Sequence, residues 1–586
     1  MTFANSSAQT SNGYETKSSN DQTVPSVQFD LKDLDGLIGT KIPHDKDGLN
    51  KLVAYVKADV ESLEEENGQS TVSIEVKDSN HPDIWCVEGV ARALRGYLKL
   101  KQSKPATVQG PSGYSITIDR RLRSIRPYIA CAIVRNIQPS EEALKSWISL
   151  QEKMDQTYGR KRRKASIGLY QADLIKPPIR YTVSNPDDTS FIPLGSDTSM
   201  TLRQIVESHP KGIEYGQAIS KHDNWPLLID KNDRILSLPP IINSTDLGKV
   251  TTETKNILIE VTGTSLETVQ DTLKIVVTTL SERGGKIYSC TQKYPYAPTR
   301  TTTPDLKEQP FQVSLDYANK LLGTNLTSKQ AIDLLKRAGY STGKVIGDKI
   351  AIGVPPYRID IMHQVDVVED IGIAMDINTL KPEWPGIFTV GGLSPVTAKL
   401  DNIAELMVGL GYQEIMTYSL SSPETMAKKM NMPENEQIEL QNPSMTTYTI
   451  LRPWLLPSLM EFLSNNTHVE YPQRIFEVGN CFTRDPSTPT RVKDIPKLSA
   501  VTVHATAGFT EIRQSLDSLL RSLGIEYSVR PSTHPSFLEG RTGQIVTKNQ
   551  NIGTIGELNP HVIKAWGLSL PFGTFELDLS LLLNLN

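Results

Sequence analysis

Hydrophobic and polar residues along this chain follow two different periods, and each period predicts a different kind of element. Apolar and polar side chains alternate in residues 71–76, as in a strand with one buried face. Residues 128–134 are apolar almost without interruption, which predicts a strand buried on both faces. Residues 46–57, 139–157 and 266–283 carry apolar residues at helical spacing. The pattern therefore predicts an α+β multidomain protein.

Breaks in this pattern divide the chain into successive regions. Residues 1–25 are rich in Ser, Thr, Asn and Gln, and they are predicted to be disordered because they cannot bury enough apolar surface to offset their ordering entropy. The rest of the chain is predicted to contain an N-terminal α/β domain at 26–105, a larger α/β module at 106–293, a Pro- and Thr-rich linker at 294–307, a small helical module at 308–385 and a mixed domain at 392–586. The order of elements in the last domain indicates an antiparallel sheet flanked by helices.

Capping residues predict several helix ends. The two helices of the small module are expected to end at Gly323 and Gly339, because glycine readily adopts the left-handed conformation found there. In the N-terminal domain, residues 87–98 carry a buried helical stripe, and Asp83 is expected to be the N-cap of that helix.

The charge of the 586-residue chain is nearly balanced, at −4, so any contact with nucleic acid or an anionic membrane must be local. No apolar run reaches the roughly 18 residues that a membrane helix needs, so no membrane partner is expected. The four cysteines form no CxxC pair, which argues against a disulfide framework and a zinc ribbon. The N-terminus lacks the basic and apolar regions of a signal peptide. These features predict a cytoplasmic protein.

Four acidic residues gather around the start of a predicted helix. Asp366, Glu369 and Asp370 share one helix face, and Asp360 lies in the turn before it. Carboxylates this close repel one another unless a cation lies among them, and oxygen ligands suit Mg²⁺ or Ca²⁺. Acidic residues at a helix N-terminus are also favoured by the helix dipole alone. The spacing leaves a metal site and a solvated helix start both open.

A dense basic run, residues 159–164, interrupts the larger α/β module. It is typical of a solvated loop, and it is equally consistent with contacts to nucleic-acid phosphates. Motifs for self-sufficient chemistry are absent from the sequence: it has no Walker loop, HExxH, GxSxG or GxGxxG.

Residues 354–370 read Val-Pro-Pro-Tyr-Arg-Ile-Asp-Ile-Met-His-Gln-Val-Asp-Val-Val-Glu-Asp. This run resembles the signature of the β subunits of phenylalanyl-tRNA synthetase, of the archaeal and eukaryotic cytosolic type. The resemblance implies that Asp360, Asp366, Glu369 and Asp370 bind an Mg²⁺ ion shared with the α subunit. It also implies an α2β2 heterotetramer, in which the α subunit charges tRNA(Phe) using ATP.

Further runs resemble the editing module of the same family, at residues 209–212, 225–229, 235–244 and 257–264. That module hydrolyses tyrosine wrongly joined to tRNA(Phe). It is needed because a pocket shaped for phenylalanine rejects an added hydroxyl only roughly a hundredfold. The resemblance assigns to the pocket the residues Leu228, Ser237, Glu260 and Thr262. The archaeal pattern has aspartate where this chain has Glu260, so the acceptor reaches one methylene further.

The final domain and the helix after Asp83 also resemble the family, with differences. Residues 450–459 and 474–480 are similar to its class II synthetase-like core, but the Gly-x-Gly-x-Glu-Arg motif that would hold ATP is missing near 575–579. The domain is therefore interpreted as an assembly platform. His81 stands where the family usually has arginine, which leaves the role of that charge open.

The resemblance predicts a β subunit that supplies tRNA contacts, the shared metal site and the editing pocket. The alternative is a non-catalytic tRNA-binding scaffold whose editing pocket has decayed.

Overall fold

The structure, a computed structural model, describes residues 25–66, 68–100, 105–386, 389–434 and 437–583. Its contacts form two compact units with the boundary between Glu383 and Trp384, close to the predicted break between 385 and 392. The tail predicted at 1–25 lies outside the described residues except for Pro25, whose carbonyl accepts a hydrogen bond from Val76. No helix among the described residues is both long and apolar enough to span a bilayer.

The N-terminal domain is a three-stranded antiparallel sheet covered by helices, with strand order β1-β3-β2. Its elements are β1 (Ser26–Asp30), α1 (Leu31–Ile38), α2 (Lys46–Val53), β2 (Ala58–Glu66), β3 (Gln69–Val76) and α3 (Val87–Tyr97). The expected N-cap is wrong, because α3 begins after Cys86 and Asp83 lies in a preceding 3-10 turn. Asp83 instead accepts a hydrogen bond from Arg92, one turn inside the helix.

The larger α/β module is built on a ten-stranded mixed sheet. Its elements are β4 (Val108–Ile118), β5 (Tyr128–Arg135), α4 (Glu141–Gln156), β6 (Ala165–Gln171), β7 (Ile179–Ser184), β8 (Ser190–Phe191), β9 (Met200–Thr201), α5 (Leu202–Ser208), α6 (Pro210–Tyr215), β10 (Trp225–Ile229), β11 (Ile235–Leu238), β12 (Ile242–Asn243), α7 (Thr245–Gly248), β13 (Ile257–Gly263), α8 (Leu266–Ser281), β14 (Lys286–Lys293) and β15 (Arg300–Thr303). The main sheet has the order β12-β11-β10-β7-β4-β14-β5-β13-β6, with β15 on β14.

The centre of this sheet is buried on both faces, as the unbroken apolar run of β5 predicts. One face of β5, β6 and β13 packs against α4 and α8 in a core that also includes the N-terminal domain. The opposite face forms a second core around Tyr170, Tyr181 and Leu228. The strands therefore carry side chains into two separate interiors.

The segment predicted as a linker at 294–307 is partly a strand of the sheet. Residues 300–303 form β15, which pairs antiparallel with β14. Thr303 is buried, and its hydroxyl donates to the carbonyl of Cys131 on β5. The prolines of this segment suggested a linker, but three consecutive β-branched threonines favour a strand at 301–303.

The small module predicted as helical contains three helices and a three-stranded antiparallel sheet of order β16-β18-β17. Its elements are β16 (Gln309–Ser314), α9 (Leu315–Leu322), α10 (Ser328–Arg337), β17 (Ser341–Ile346), β18 (Lys349–Val354) and α11 (Gln364–Met375). The predicted helix ends are confirmed, since Gly323 and Gly339 both have positive φ, at 67° and 92°. Nearly all side chains of β17 are exposed, so this strand shows no alternation of apolar and polar residues in the sequence.

The second unit contains a seven-stranded sheet of order β19-β23-β24-β28-β27-β26-β25, antiparallel except for the β19–β23 pair. Its elements are α12 (Pro395–Gly409), β19 (Gln413–Glu414), β20 (Leu420–Ser421), α13 (Pro423–Met426), β21 (Ile438–Glu439), β22 (Ile450–Leu451), α14 (Leu456–Asn465), β23 (Gln473–Arg484), β24 (Val492–Val503), α15 (Phe509–Ser522), β25 (Ser528–Pro531), β26 (Phe537–Thr547), β27 (Gln550–Leu558), α16 (Pro560–Ala565), β28 (Phe572–Asp578) and α17 (Leu579–Leu583). Helices pack on this sheet, as the element order predicts.

Candidate functional sites

A cavity of about 530 Å³ opens between α4, the end of β11 and the adjoining strands β6 and β13. Ser237 and Glu260 line it. Leu228 lies opposite Ser237 in the β10–β11 pair and is fully buried in the core beneath. Thr262 is also buried, and its hydroxyl lies 3.3 Å from Ser166, which does line the cavity. Two of the four predicted pocket residues therefore face the cavity, and two support it from below.

Glu260 is the buried acid of this cavity. Its Oε2 accepts a hydrogen bond of 2.8 Å from the Tyr170 hydroxyl, which also lies 2.8 Å from the Ser237 hydroxyl. Its Oε1 is buried and receives no hydrogen bond of normal geometry from a described residue, although the nearby Thr262 hydroxyl helps to stabilise the carboxylate. Burial raises the pKa of Glu260 to about 7, although the Tyr170 hydrogen bond and the charge of Arg126 act in the opposite direction. The cavity thus presents a carboxyl group that titrates near neutral pH.

Gly168 makes room for this arrangement on the neighbouring strand. It is paired with Glu260 between β6 and β13. A Cβ atom added at Gly168 would lie 2.5 Å from Glu260 Oε2 and 2.5 Å from the Tyr170 hydroxyl. A side chain at this position would displace the hydrogen-bonded pair.

A buried arginine supports Thr262. The guanidinium of Arg126 donates to the Thr262 hydroxyl at 2.9 Å and to the Ser166 hydroxyl at 3.0 Å. It also donates to the carbonyls of Thr262 and Arg162. Arg126 therefore fixes the ends of β6 and β13 beside the cavity.

The basic run at 159–164 is divided between two roles. Arg162 is buried and makes an ion pair of 2.8 Å with Asp155. It also donates to the carbonyls of Pro240 and Ile241, which follow β11 and line the cavity. The other four basic side chains of the run, Arg160, Lys161, Arg163 and Lys164, are exposed. Arg162 is thus a structural residue of the cavity wall, and its four basic neighbours are exposed to solvent.

Sequence reasoning missed Tyr170, Arg126 and Arg162 as residues of this site. The signal for Tyr170 was present in β6, where Ser166, Gly168 and Tyr170 alternate with apolar residues and so share one face. The contacts of Arg126 join positions 36 to 136 residues apart, so no local pattern shows them.

The four predicted metal ligands have separate partners. Asp360 and Asp370 both accept from the buried guanidinium of Arg358, at 2.7 and 2.8 Å. Glu369 is more than half exposed and pairs with Lys57 of the N-terminal domain at 2.7 Å. Three of the four acids therefore pair with a basic side chain, either Arg358 or Lys57.

Asp366 caps the helix that carries the acids. Its carboxylate accepts from the backbone N–H groups of Met362 and His363, at 2.8 and 2.7 Å, in a capping box at the start of α11. Asp370 accepts an additional hydrogen bond from the Tyr340 hydroxyl. The predicted helix face is therefore present, and its carboxylates are used in folding the module.

The resemblance implies an Mg²⁺ ion among these residues. Among the described residues, one group alone brings three possible ligand atoms within 4.8 Å of one another, and it consists of His81, Asp83 and Asp360. Asp83 and Asp360 each bond an arginine, which supplies the positive charge an ion would bring. As arranged in this chain, the four predicted acids do not fit a four-carboxylate magnesium site.

Comparisons with known proteins cover nearly the whole chain. Residues 311–377 match the tRNA synthetase B5 domain, and residues 380–579 match the phenylalanyl tRNA synthetase beta chain CLM domain. The phenylalanine–tRNA ligase beta subunit of Pyrococcus furiosus is 42% identical over 556 residues, which is 95% of this chain and 99% of that protein. That of Methanocaldococcus jannaschii is 37% identical over 95% of this chain and 100% of its own length.

A solved structure supports the same relationship. The crystal structure of an N-terminal fragment of the phenylalanyl-tRNA synthetase beta subunit from Pyrococcus horikoshii is 40% identical, with a TM-score of 0.57. The matched region covers 60% of this chain and 99% of the fragment. With this likeness in sequence and structure, the chain belongs to the family of phenylalanine–tRNA ligase β subunits, which are components of aminoacyl-tRNA synthetases.

Proposed function

We propose that this chain hydrolyses Tyr-tRNA(Phe) in the cavity beside Glu260 and supports the charging of tRNA(Phe) by a partner α subunit. The observation that carries the proposal is the buried Oε1 of Glu260, which receives no hydrogen bond of normal geometry from a described residue. A buried acceptor without a donor is costly, and a ligand that brings a hydroxyl satisfies it. Tyrosine has that hydroxyl and phenylalanine lacks it, so the site favours the mischarged product.

The chemistry of hydrolysis is proposed to use a positioned water and the tRNA itself. His209 lines the cavity, but its Nδ1 accepts a hydrogen bond from the backbone N–H of Lys211 at the start of α6. The described cavity lining contains no cysteine and no paired histidine and carboxylate that would form a nucleophilic set. The residues of the cavity would therefore bind and orient the aminoacyl group rather than attack it.

The remaining parts of the proposal concern the assembly. The chain is proposed to work in the cytoplasm within an α2β2 heterotetramer, in which the α subunit uses ATP and Mg²⁺ to join phenylalanine to tRNA(Phe). The exposed side chains of Arg160, Lys161, Arg163 and Lys164 form a local positive surface, and they are proposed to contact tRNA phosphates. The class II synthetase-like second unit is proposed to be a platform for this assembly.

The test is deacylation of Tyr-tRNA(Phe) by this chain co-expressed with its α subunit, with Phe-tRNA(Phe) as the matched substrate. Selective release of tyrosine is expected. An assembly that charges phenylalanine but releases neither amino acid would overturn the proposal and leave the chain a tRNA-binding scaffold.

A further inference from the structure

The hydroxyl of Tyr170 links Ser237 and Glu260, two of the polar residues that line the cavity. It lies 2.8 Å from the Ser237 hydroxyl and 2.8 Å from Glu260 Oε2. A tyrosine hydroxyl carries one proton, and an ionised carboxylate can only accept. The Tyr170 hydroxyl can therefore donate to the Ser237 hydroxyl or to Glu260 Oε2, and an ionised Glu260 is the stronger of the two acceptors. The direction of the chain of hydrogen bonds is set by the charge at its end.

This chain of hydrogen bonds gives the two oxygens of Glu260 different roles. Oε2 is held by Tyr170, and the carboxyl group cannot rotate without breaking that bond. Oε1 is left without a hydrogen bond of normal geometry from a described residue. Glu260 also reaches further than an aspartate would, so its orientation depends on what holds it.

We propose that Tyr170 is a positioning residue that holds Oε2 of Glu260 and so aims the other carboxyl oxygen at the hydroxyl of an incoming tyrosyl group. Tyr170 then determines the preference for a phenol over an unsubstituted phenyl ring, although it lies beneath the cavity and touches no substrate. This inference rests on the proposed function, because it assigns the specificity of the same cavity.

The surroundings of Glu260 make its charge depend on this hydrogen bond. Burial acts against the carboxylate, and the hydrogen bond from Tyr170 lowers the pKa of Glu260. Removing the Tyr170 hydroxyl therefore moves that pKa upward. The titratable and charged groups that act on Glu260 or are acted on by it are Tyr170, Arg126, Asp155, Cys131 and Tyr181.

The test is Tyr170→Phe in the assembly with the α subunit, measured as kcat/KM for Tyr-tRNA(Phe) and Phe-tRNA(Phe) across pH. We expect the ratio of the two values to fall about tenfold or more, since a hydrogen bond to a charged group is lost. The midpoint of the pH profile is expected to move to higher pH. Tyr294→Phe is the matched control, because the Tyr294 hydroxyl is buried on the same sheet but donates to the Ile129 carbonyl.

A second measurement separates this inference from the proposed function. The carboxyl band of Glu260 can be titrated by infrared difference spectroscopy against Glu260→Gln, without any hydrolysis. Tyr170→Phe must raise the midpoint of that band, and an unchanged midpoint overturns the inference even if wild-type hydrolyses Tyr-tRNA(Phe). If wild-type hydrolyses nothing, the proposed function fails, while the infrared midpoint still decides whether Tyr170 holds Oε2 of Glu260. Equal kinetic losses in Tyr170→Phe and Tyr294→Phe would also overturn the inference.

Discussion

At the scale of single residues, the candidate pocket depends on one carboxyl group held in an apolar interior. Burial raises the pKa of Glu260 to about 7, from an ordinary value near 4.5. Below that pH the folded protein carries a neutral Glu260, and above it an ionised one. An ionised acceptor forms the stronger hydrogen bond with a phenol hydroxyl.

Hydrolysis of Tyr-tRNA(Phe) should therefore rise with pH through about 7, where Glu260 loses its proton. The check is a pH profile of kcat/KM for the assembly with the α subunit. Glu260→Gln should lose this inflection. A profile that keeps the inflection in Glu260→Gln would show that another group titrates.

Gly168→Ala should impair the pocket, because its Cβ would lie 2.5 Å from both Glu260 Oε2 and the Tyr170 hydroxyl. We expect lower activity on Tyr-tRNA(Phe) and a loss of about 1–3 kcal/mol in the free energy of unfolding, as for other insertions into packed interiors. Gly343→Ala is the control, because its Cβ meets its nearest neighbour at an ordinary 3.4 Å. Equal behaviour of the two variants in both measurements would contradict this account of the pocket.

At the scale of elements, the loop after α4 links a basic run to the cavity wall. Arg162 crosses from that loop to the carbonyls of Pro240 and Ile241, and its charge is balanced by Asp155 at 2.8 Å. A planar guanidinium can serve the carboxylate and both carbonyls at once, and a lysine ammonium cannot match that geometry.

Arg162→Lys should lower Tyr-tRNA(Phe) hydrolysis while leaving tRNA affinity unchanged. Lys161→Ala should weaken tRNA binding and leave the hydrolysis of bound Tyr-tRNA(Phe) unchanged. The salt dependence of tRNA binding should fall by about one counterion. The two variants are compared by deacylation kinetics and by tRNA titrations at several salt concentrations. Loss of tRNA affinity in Arg162→Lys alone would contradict the division of roles within the run.

In the small module, Arg358 lies between two buried acids, Asp360 and Asp370. Arg358→Met should leave Asp360 and Asp370 without a counter-charge and lower the free energy of unfolding by about 3–5 kcal/mol. Glu369→Gln removes a half-exposed pair with Lys57 and should change it by about 0–1 kcal/mol. Chemical denaturation measures both. If instead Glu369→Gln removed bound Mg²⁺ from the assembly, the account of this acidic cluster as an ion-pair network would be wrong.

At the scale of the whole molecule, sequence reasoning predicted local elements better than contacts between distant residues. The period of hydrophobic residues located β5, α4 and the antiparallel sheet of the second unit. It missed β15, which has four residues, and β17, which is largely exposed. Helical spacing placed Asp366, Glu369 and Asp370 correctly on α11, but Arg358 and Lys57 decide their partners.

The candidate pocket shows the same limit. Resemblance to a family identified Ser237 and Glu260, which face the cavity. The hydrogen bond from Tyr170 to Glu260 joins positions 90 residues apart, and it requires the register between β6 and β13. The alternation in β6 shows which face Tyr170 occupies, but its contact with Glu260 follows only from the packing of the sheet.

The central claim is that Glu260 reads the hydroxyl group that distinguishes tyrosine from phenylalanine. The most direct test is Glu260→Gln in the assembly with its α subunit, assayed on both aminoacyl-tRNAs. Hydrolysis of Tyr-tRNA(Phe) should fall about tenfold to a hundredfold, while the slow hydrolysis of Phe-tRNA(Phe) and the charging of phenylalanine remain unchanged. An equal fall on both substrates, or no fall on either, would contradict the claim.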